Sequence, residues 1–341
     1  MTSIKDVART VGVSTATVSR ALRGLPRVSD ETRFRVLQAA AELDYVASPT
    51  AAGLASGQTR AVGVVVPFVT RWFYAGVVHG AEELLREAGY DLLLYNLGGD
   101  RDARHRVFRT HLLRKRVDAV LVLSLNPTDD EITALAKLDR PVAVVGATVP
   151  GWSSVRIDDD ATARIAMRHL TGLGHRRIGY IGGSLDDQLD FAAPLDRLQG
   201  YRRAMAEAGL DVARSWEVVG DFTVRGGLAA MRLLLETDPR PTAVFAASDE
   251  MAVGAVHAAR EVGLRVPEDV SVIGIDDHEM SEFFELSTVA QPVREQGRLA
   301  ARLLLDALGA DPDGPAVPPC ELTVPTRLIV RRTTGPVHVP A

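Results

Sequence analysis

A chain of 341 residues, 46% hydrophobic and 24% charged, is long enough for two or more folded units and too apolar to be disordered. Its single cysteine, Cys320, excludes an internal disulfide and a cysteine-rich zinc site; with no run of about 18 apolar residues and no signal-like stretch in the opening MTSIKDVART, a cytoplasmic protein is expected. The net charge of −5 divides unevenly, because residues 1–60 hold eight Lys and Arg against five Asp and Glu, or +3, leaving −8 on the rest. A basic front end on an acidic body points to a nucleic-acid module.

Residues 1–46 read as three helices with no strand pattern. Ile4, Val7, Ala8 and Val11 fall at helical spacing until Gly12 interrupts. Ser14 offers an N-cap for a short second helix with Val18, Ala21 and Leu22 on its apolar side. Ser29 or Asp30 caps a third, whose Phe34, Leu37, Ala41 and Leu43 are expected to cover the first two. The three-residue connection Gly12-Val13-Ser14 matches a helix-turn-helix. On the second helix Thr15, Ala16, Ser19, Arg20 and Arg23 share one side. Such a small, mildly polar face can enter a major groove, with methyl groups of Thr15 and Ala16 against thymine and Arg20 bidentate on guanine O6 and N7. Periodicity alone leaves open a solvated surface helix with incidental arginines.

From Ala61 apolar runs alternate with amphipathic stretches. The runs are AVGVVVP, DLLLY, VDAVLVL and PVAVV, then RIGYIGG, WEVVG, TAVFAAS and VSVIGID, with helices between them. Continuous apolar strands separated by helices indicate parallel sheets covered on both faces. Roughly 270 residues of this texture suit two such units, with a crossing near Asp158–Asp160. The three aspartates themselves are read as an acidic helix N-terminus, with Asp159 facing a cleft as the lesser alternative. Gly182-Gly183 is read as a strand-end turn and His175 as a loop residue ordering a strand entry.

The segments IKDVARTVGVSTATVSRALRG and RVSDETRFRVLQAAAELDY strongly resemble the DNA-binding headpiece of the lactose-repressor/galactose-repressor family. The resemblance implies base-reading roles for Thr15, Ala16 and Arg20, with Lys5, Ser14, Thr17 and Ser19 near the backbone or groove edge. SPTAAGLASGQTR resembles that family's hinge helix, and Leu54 matches the leucine that wedges a minor-groove step. Ser48, Pro49 and Gly57 suit its cap, first position and stop, leaving about seven helical residues, too few to be stable alone. Ala52 stands where a basic residue is usual, and Gly53 lowers helix propensity by about 1 kcal/mol. A hinge more weakly formed than in relatives is expected.

The rest of the chain resembles the same family's two-lobed sensor, itself similar to periplasmic sugar-binding proteins. The expected architecture is an all-α helix-turn-helix headpiece (1–47), a hinge (48–60), and an α/β periplasmic-binding-protein-like domain (61–332) of two parallel doubly wound sheets. Its first lobe would comprise 61–160 and 290–319 and its second 161–289 and 320–332, leaving a tail at 333–341. Ligands of such folds bind beyond the carboxyl ends of the strands, between the lobes. Phe68 to Tyr74, Ser124, Asn126, Asp249 and Asp276 follow strand-like runs. By resemblance Phe73 and Tyr74 form an aromatic wall, Arg197 is the ligand-binding arginine, Phe222 stacks on a ring, and Asp249 and Asp276 accept hydroxyl protons.

This set suits a sugar or small glycoside. A nucleobase or nucleoside is the alternative, and Arg71, which with Trp72 replaces the family's frequent Asn-Pro, could recognise an anionic ligand such as a sugar phosphate. The segment 184–196 is longer than the usual loop. No HExxH, GxSxG or metal spacing occurs, so neither enzyme chemistry nor a cofactor is expected. Cleft carboxylates hydrolysing a glycoside would leave residues 1–60 unexplained, and a transport binding protein would need an export signal. The expectation is a homodimeric, effector-controlled regulator, a repressor in the main reading, on a near-palindromic duplex operator. The ending TTGPVHVPA has no leucine heptad, so a dimer without a tetramer bundle is expected.

Overall fold

The computed structural model describes residues 2–45, 58–112, 116–184, 193–310 and 317–338. The expectations for the hinge, Leu54 included, and for the long segment after Ser184 fall mostly outside the described residues. The chain divides into two compact units, a small one built on the N-terminal helices and a large one that begins at Ala61.

The small unit holds α1 (Ile4–Val11), α2 (Thr15–Leu22) and α3 (Asp30–Glu42). Gly12 closes α1 at φ +74°, a conformation that favours glycine, and its N–H reaches Ala8 O at 2.9 Å. Val7, Val11, Val18, Ala21, Val36, Ala39 and Ala40 form the core. Of the expected covering face of α3, Leu43 packs against this core, but Phe34, Leu37 and Ala41 do not. Phe34 is 68% exposed and Leu37 49%, while Val36 is fully buried. The reason lies beside them: Arg33 donates to Ala21 O and Leu25 O, and Arg35 to Val11 O. Those bonds set which face of α3 meets the two short helices, and it is the one that bears Val36, Ala39 and Ala40.

The large unit contains two six-stranded sheets. The first uses β1 (Ala61–Val66), β2 (Asp91–Asn96), β3 (Ala119–Leu123), β4 (Val142–Val145), β5 (Ser153–Arg156) and β11 (Glu321–Thr323) in the order β11-β5-β4-β3-β1-β2. The second uses β6 (Ile178–Gly182), β7 (Glu217–Val219), β8 (Ala243–Ala246), β9 (Ser271–Asp276), β10 (Ser287–Ala290) and β12 (Arg327–Ile329) in the order β12-β10-β9-β8-β6-β7. All pairings are parallel except β10 with β12. Each sheet carries helices on its faces. In the first lobe α4 (Trp72–Glu87) packs on α12 (Val293–Leu308), while α5 (Arg101–Arg106) and α6 (Asp129–Ala136) both contact the turn at Val107–His111. The second lobe has α7 (Asp159–Gly172), α8 (Ala193–Glu207), α9 (Val224–Leu235), α10 (Asp249–Glu261) and the short α11 (Met280–Phe283). The α4–α12 contact is backbone-close: a Cβ on Gly80 would lie 2.0 Å from Arg294 O, and one on Gly297 2.0 Å from Val77 O.

Three features differ from the sequence reading. The run DLLLY forms an edge strand with Leu93 and Leu94 36% and 38% exposed, not a strand covered on both faces. The third crossing between lobes lies at 324–326 and not near 320, because residues 321–323 complete the first sheet beside β5. The other crossings lie at 157–158 and 291–292. The supposed tail is built into the second lobe: Thr333 O accepts from Val272 N, Thr333 Oγ1 donates to Val272 O, and Val337 N donates to Leu173 O. His175 belongs to this seam, 2% exposed, its ring nitrogens bonded to Thr242 Oγ1, Ser271 Oγ and Gly335 O.

Candidate DNA-reading helix and effector cleft

The side chain of Ser14 caps α2, accepting from Thr17 N at 3.1 Å, and its hydroxyl also meets Thr17 Oγ1 at 2.9 Å. Val18 and Ala21 anchor one face in the core, so Thr15, Ala16 and Arg20 stand exposed on the other, with Ser19 and Thr17 at its half-buried margin. Lys5 on α1 is exposed as well. The Arg33 bonds to Ala21 O and Leu25 O hold the C-terminal end of α2, which leaves the helix fixed at both ends.

A cleft lies between the two lobes of the large unit. Residues beyond strand ends line it: Ser124 after β3, Gly146 after β4, Ser248 after β8, Asp276 at the end of β9 and Gln291 after β10. Several carry unusual backbone. Ser124 has φ +51°, Phe222 +53° and Asp276 +136°, a concentration of strained residues of the kind found at ligand sites. Gly146 and Gly183 make room there, since a Cβ would lie 2.7 Å from Ser124 Oγ in one case and 2.3 Å from Phe222 Cε2 in the other.

Arg197 on α8 organises the floor. It donates through Nε to Asp159 Oδ1 at 2.7 Å and through Nη1 to Ala247 O, and Phe222 lies with its ring centroid 6.0 Å from the guanidinium carbon. Asp158 caps α7 by accepting from Ala161 N, while Asp159 faces the cleft, so neighbouring carboxylates divide the two roles weighed in the sequence. Behind them a chain of hydrogen bonds spans the lobes: Gln296 Nε2 donates to Gln291 Oε1 at 2.9 Å, and Gln291 Nε2 to Asp276 Oδ1 at 2.6 Å. Phe73, Tyr74 and Arg71 enter from the first lobe at the start of α4.

Two expected positions do not line the cleft. Asp249 is fully buried, its carboxylate accepting from Thr288 Oγ1, Ser281 Oγ and His278 N. It secures the loop after β9, and its neighbour Glu250, one residue further round α10, takes the lining place. Asn126 contributes its carbonyl to Arg104 and lies beyond the cleft wall. Burial pushes the Asp276 carboxyl up to about 8, against the pull of the Arg197 charge. Burial raises Asp249 as well, against three donors that favour its charged form. Ser248, Glu250, Gln291, Gln296 and Gly146 were missed in the sequence.

A capped, outward-facing helix on its own small unit and a polar cleft between two parallel-sheet lobes define a ligand-controlled DNA-binding regulator. Residues 3–48 match the family model for bacterial regulatory proteins of the lacI family, and residues 167–334 the periplasmic binding protein-like domain. Catabolite control protein A of Priestia megaterium is 37% identical over 307 residues, covering 89% of this chain and 91% of that protein. The ribose operon repressor of Escherichia coli K12 is 39% identical over 310 residues, covering 89% and 92%. A solved CelR–cellobiose complex is similar with a TM-score of 0.72 at 36% identity, covering 98% of this chain and 100% of that one. The lac repressor dimer bound to operator and the anti-inducer ONPF gives 0.85 at 28% identity, covering 98% and 99%. The chain belongs to the lacI family of bacterial regulatory proteins. It is a DNA-binding transcriptional regulator controlled by a small-molecule effector, and not an enzyme. Among the described residues no helix is long and apolar enough to cross a membrane, and no group of His, Cys, Asp or Glu could hold a metal ion.

Proposed function

We propose that this regulator is a homodimeric cytoplasmic repressor of a near-palindromic operator, and that its effector is a sugar or small glycoside. Thr15, Ala16 and Arg20 read base edges, Lys5, Ser14, Thr17 and Ser19 meet the backbone and groove edge, and Leu54 wedges the centre of the site. Two-fold protein symmetry suits two-fold DNA. The observation that carries the effector reading is the cleft floor, where Arg197, Asp159, Asp276 and Gln291 stand beside Phe222. A polyhydroxylated ring needs donors and acceptors around its rim and an aromatic plane against its C–H face. Phe73, Tyr74 and Ser124 complete the wall from the first lobe. Relatives named for ribose and cellobiose support the same class.

The effector shifts the operator equilibrium only by its differential affinity for the two lobe arrangements: an inducer prefers the DNA-incompetent one and a corepressor the other. Calorimetry of the full chain with D-ribose, D-glucose, cellobiose, hypoxanthine and guanine tests the class. The expected result is binding of a sugar that also changes affinity for DNA selected from random fragments. Binding of purines alone overturns the carbohydrate reading.

A further inference from the structure

Two charged side chains in the cleft have no hydrogen bond or ion pair among the described residues. Arg71 precedes α4 in the first lobe, its guanidinium carbon 4.1 Å from the Phe68 ring centroid. Glu250 sits in the first turn of α10 in the second lobe. Both are half-buried and both line the cleft, yet neither makes a hydrogen bond or ion pair among the described residues. Arg197, by contrast, is already answered by Asp159.

Their neighbours join the two sides of the cleft, and the Arg71 charge acts on the Glu250 carboxyl. Trp72, next to Arg71, packs its ring 4.7 Å from that of His278 in the second lobe. The backbone N–H of His278 is held at 2.9 Å by Asp249, next to Glu250. One contact across the mouth of the cleft therefore sets residue 71 opposite residue 250.

We infer that Arg71 and Glu250 form an opposite-charge pair across the cleft that selects an uncharged, hydroxylated effector and rejects its anionic derivatives. This rests on the cleft being the effector site. A hydroxyl is the group that satisfies both sides, accepting from the guanidinium and donating to the carboxylate. A phosphate ester or carboxylate would meet Arg71 only by bringing like charge toward Glu250 in a partly desolvated space. The anionic ligand that Arg71 suggests in the sequence is thus opposed by a residue the sequence did not single out. Burial raises the Glu250 carboxyl and the Arg71 charge pulls it back; Asp276 and the adjacent Asp249 are the other acidic groups around it.

The experiment is calorimetry of the full chain, as wild type, Glu250→Gln and Arg71→Met, with D-ribose, D-glucose and cellobiose and with ribose 5-phosphate and glucose 6-phosphate. The wild type is expected to prefer a neutral sugar over its phosphate ester by at least about tenfold, and Glu250→Gln to narrow that ratio about tenfold. A wild-type preference for the ester, or an unchanged ratio in Glu250→Gln, overturns the inference. If no sugar or ester binds, the carbohydrate reading itself fails, and the pair is judged in the unliganded protein by carboxyl-carbon NMR titration. Arg71→Met is then expected to raise the Glu250 midpoint; an unmoved midpoint rejects the pairing.

Discussion

Arg197 donates its Nε–H to Asp159 Oδ1 at 2.7 Å, tying α8 to the first turn of α7 with both side chains less than a tenth exposed. Removing one member of such a buried pair strands the other charge. Asp159→Ala is expected to destabilise the large unit by about 3–5 kcal/mol, read as a lower denaturant midpoint. Asp159→Asn keeps an acceptor for the guanidinium and should lose less. Equal losses would mean that the hydrogen bond contributes nothing beyond the charge.

Arg20 stands exposed on α2 and is not among the residues of the headpiece core. Arg20→Ala is expected to remove about 1–3 kcal/mol of base discrimination, with binding to random duplex almost unchanged. Lys5→Ala should instead weaken all sequences alike and reduce the salt slope by about 1. Competition anisotropy at several salt concentrations separates the two patterns.

Arg33 supports the reading helix from behind, through carbonyls of Ala21 and Leu25. Arg33→Ala should destabilise the small unit by about 1–3 kcal/mol, since both bonds are charge-assisted. Hydrogen exchange in α2 would quicken while exchange in β1 and β3 stayed the same. Uniform quickening in both units would contradict a local role.

The Asp276 carboxyl lies far above its unfolded value of 3.8, at about 8, chiefly through burial. A native acid with a raised pKa holds its proton more tightly in the fold. Its stabilising contribution is therefore complete below about 4 and is lost as the pH rises through about 8. Asp249, also raised by burial, acts with the same sign. The denaturant midpoint of the large unit should fall between about pH 5 and pH 9, and fall less in Asp276→Asn. The same slope in both proteins would refute the assignment.

Much of this architecture was legible because its strands are apolar runs and its helices carry clear caps. Ser14 and Gly12 mark the turn before α2, and the strands through VSVIGID follow from β-branched blocks between helical stretches. The strands that escaped are β5, β10, β11 and β12, whose segments SSVR, STVA, ELT and RLI are short and partly polar. That omission explains one of the two missed glutamines: a cleft residue is found by looking past the end of a strand, and Gln291 follows an unrecognised one. Asp249 and Glu250 show a different limit. Strand-end position brings both to the cleft mouth, but a helix turns about 100° per residue, so only tertiary packing decides which one faces the ligand. On α3 the expected packing of Leu43 is found while that of Phe34 and Leu37 is not, since hydrophobic size favours residues that packing leaves outside and passes over Val36 and Ala39.

The order in which the sheets are finished has a consequence during synthesis. The last strands of both lobes come from residues 321–329, so neither sensor half can close until those residues have left the ribosome. The headpiece, complete within its first 45 residues and with a core of its own, can fold long before. On each nascent chain the element that grips the chromosome is therefore ready well before the element that governs it.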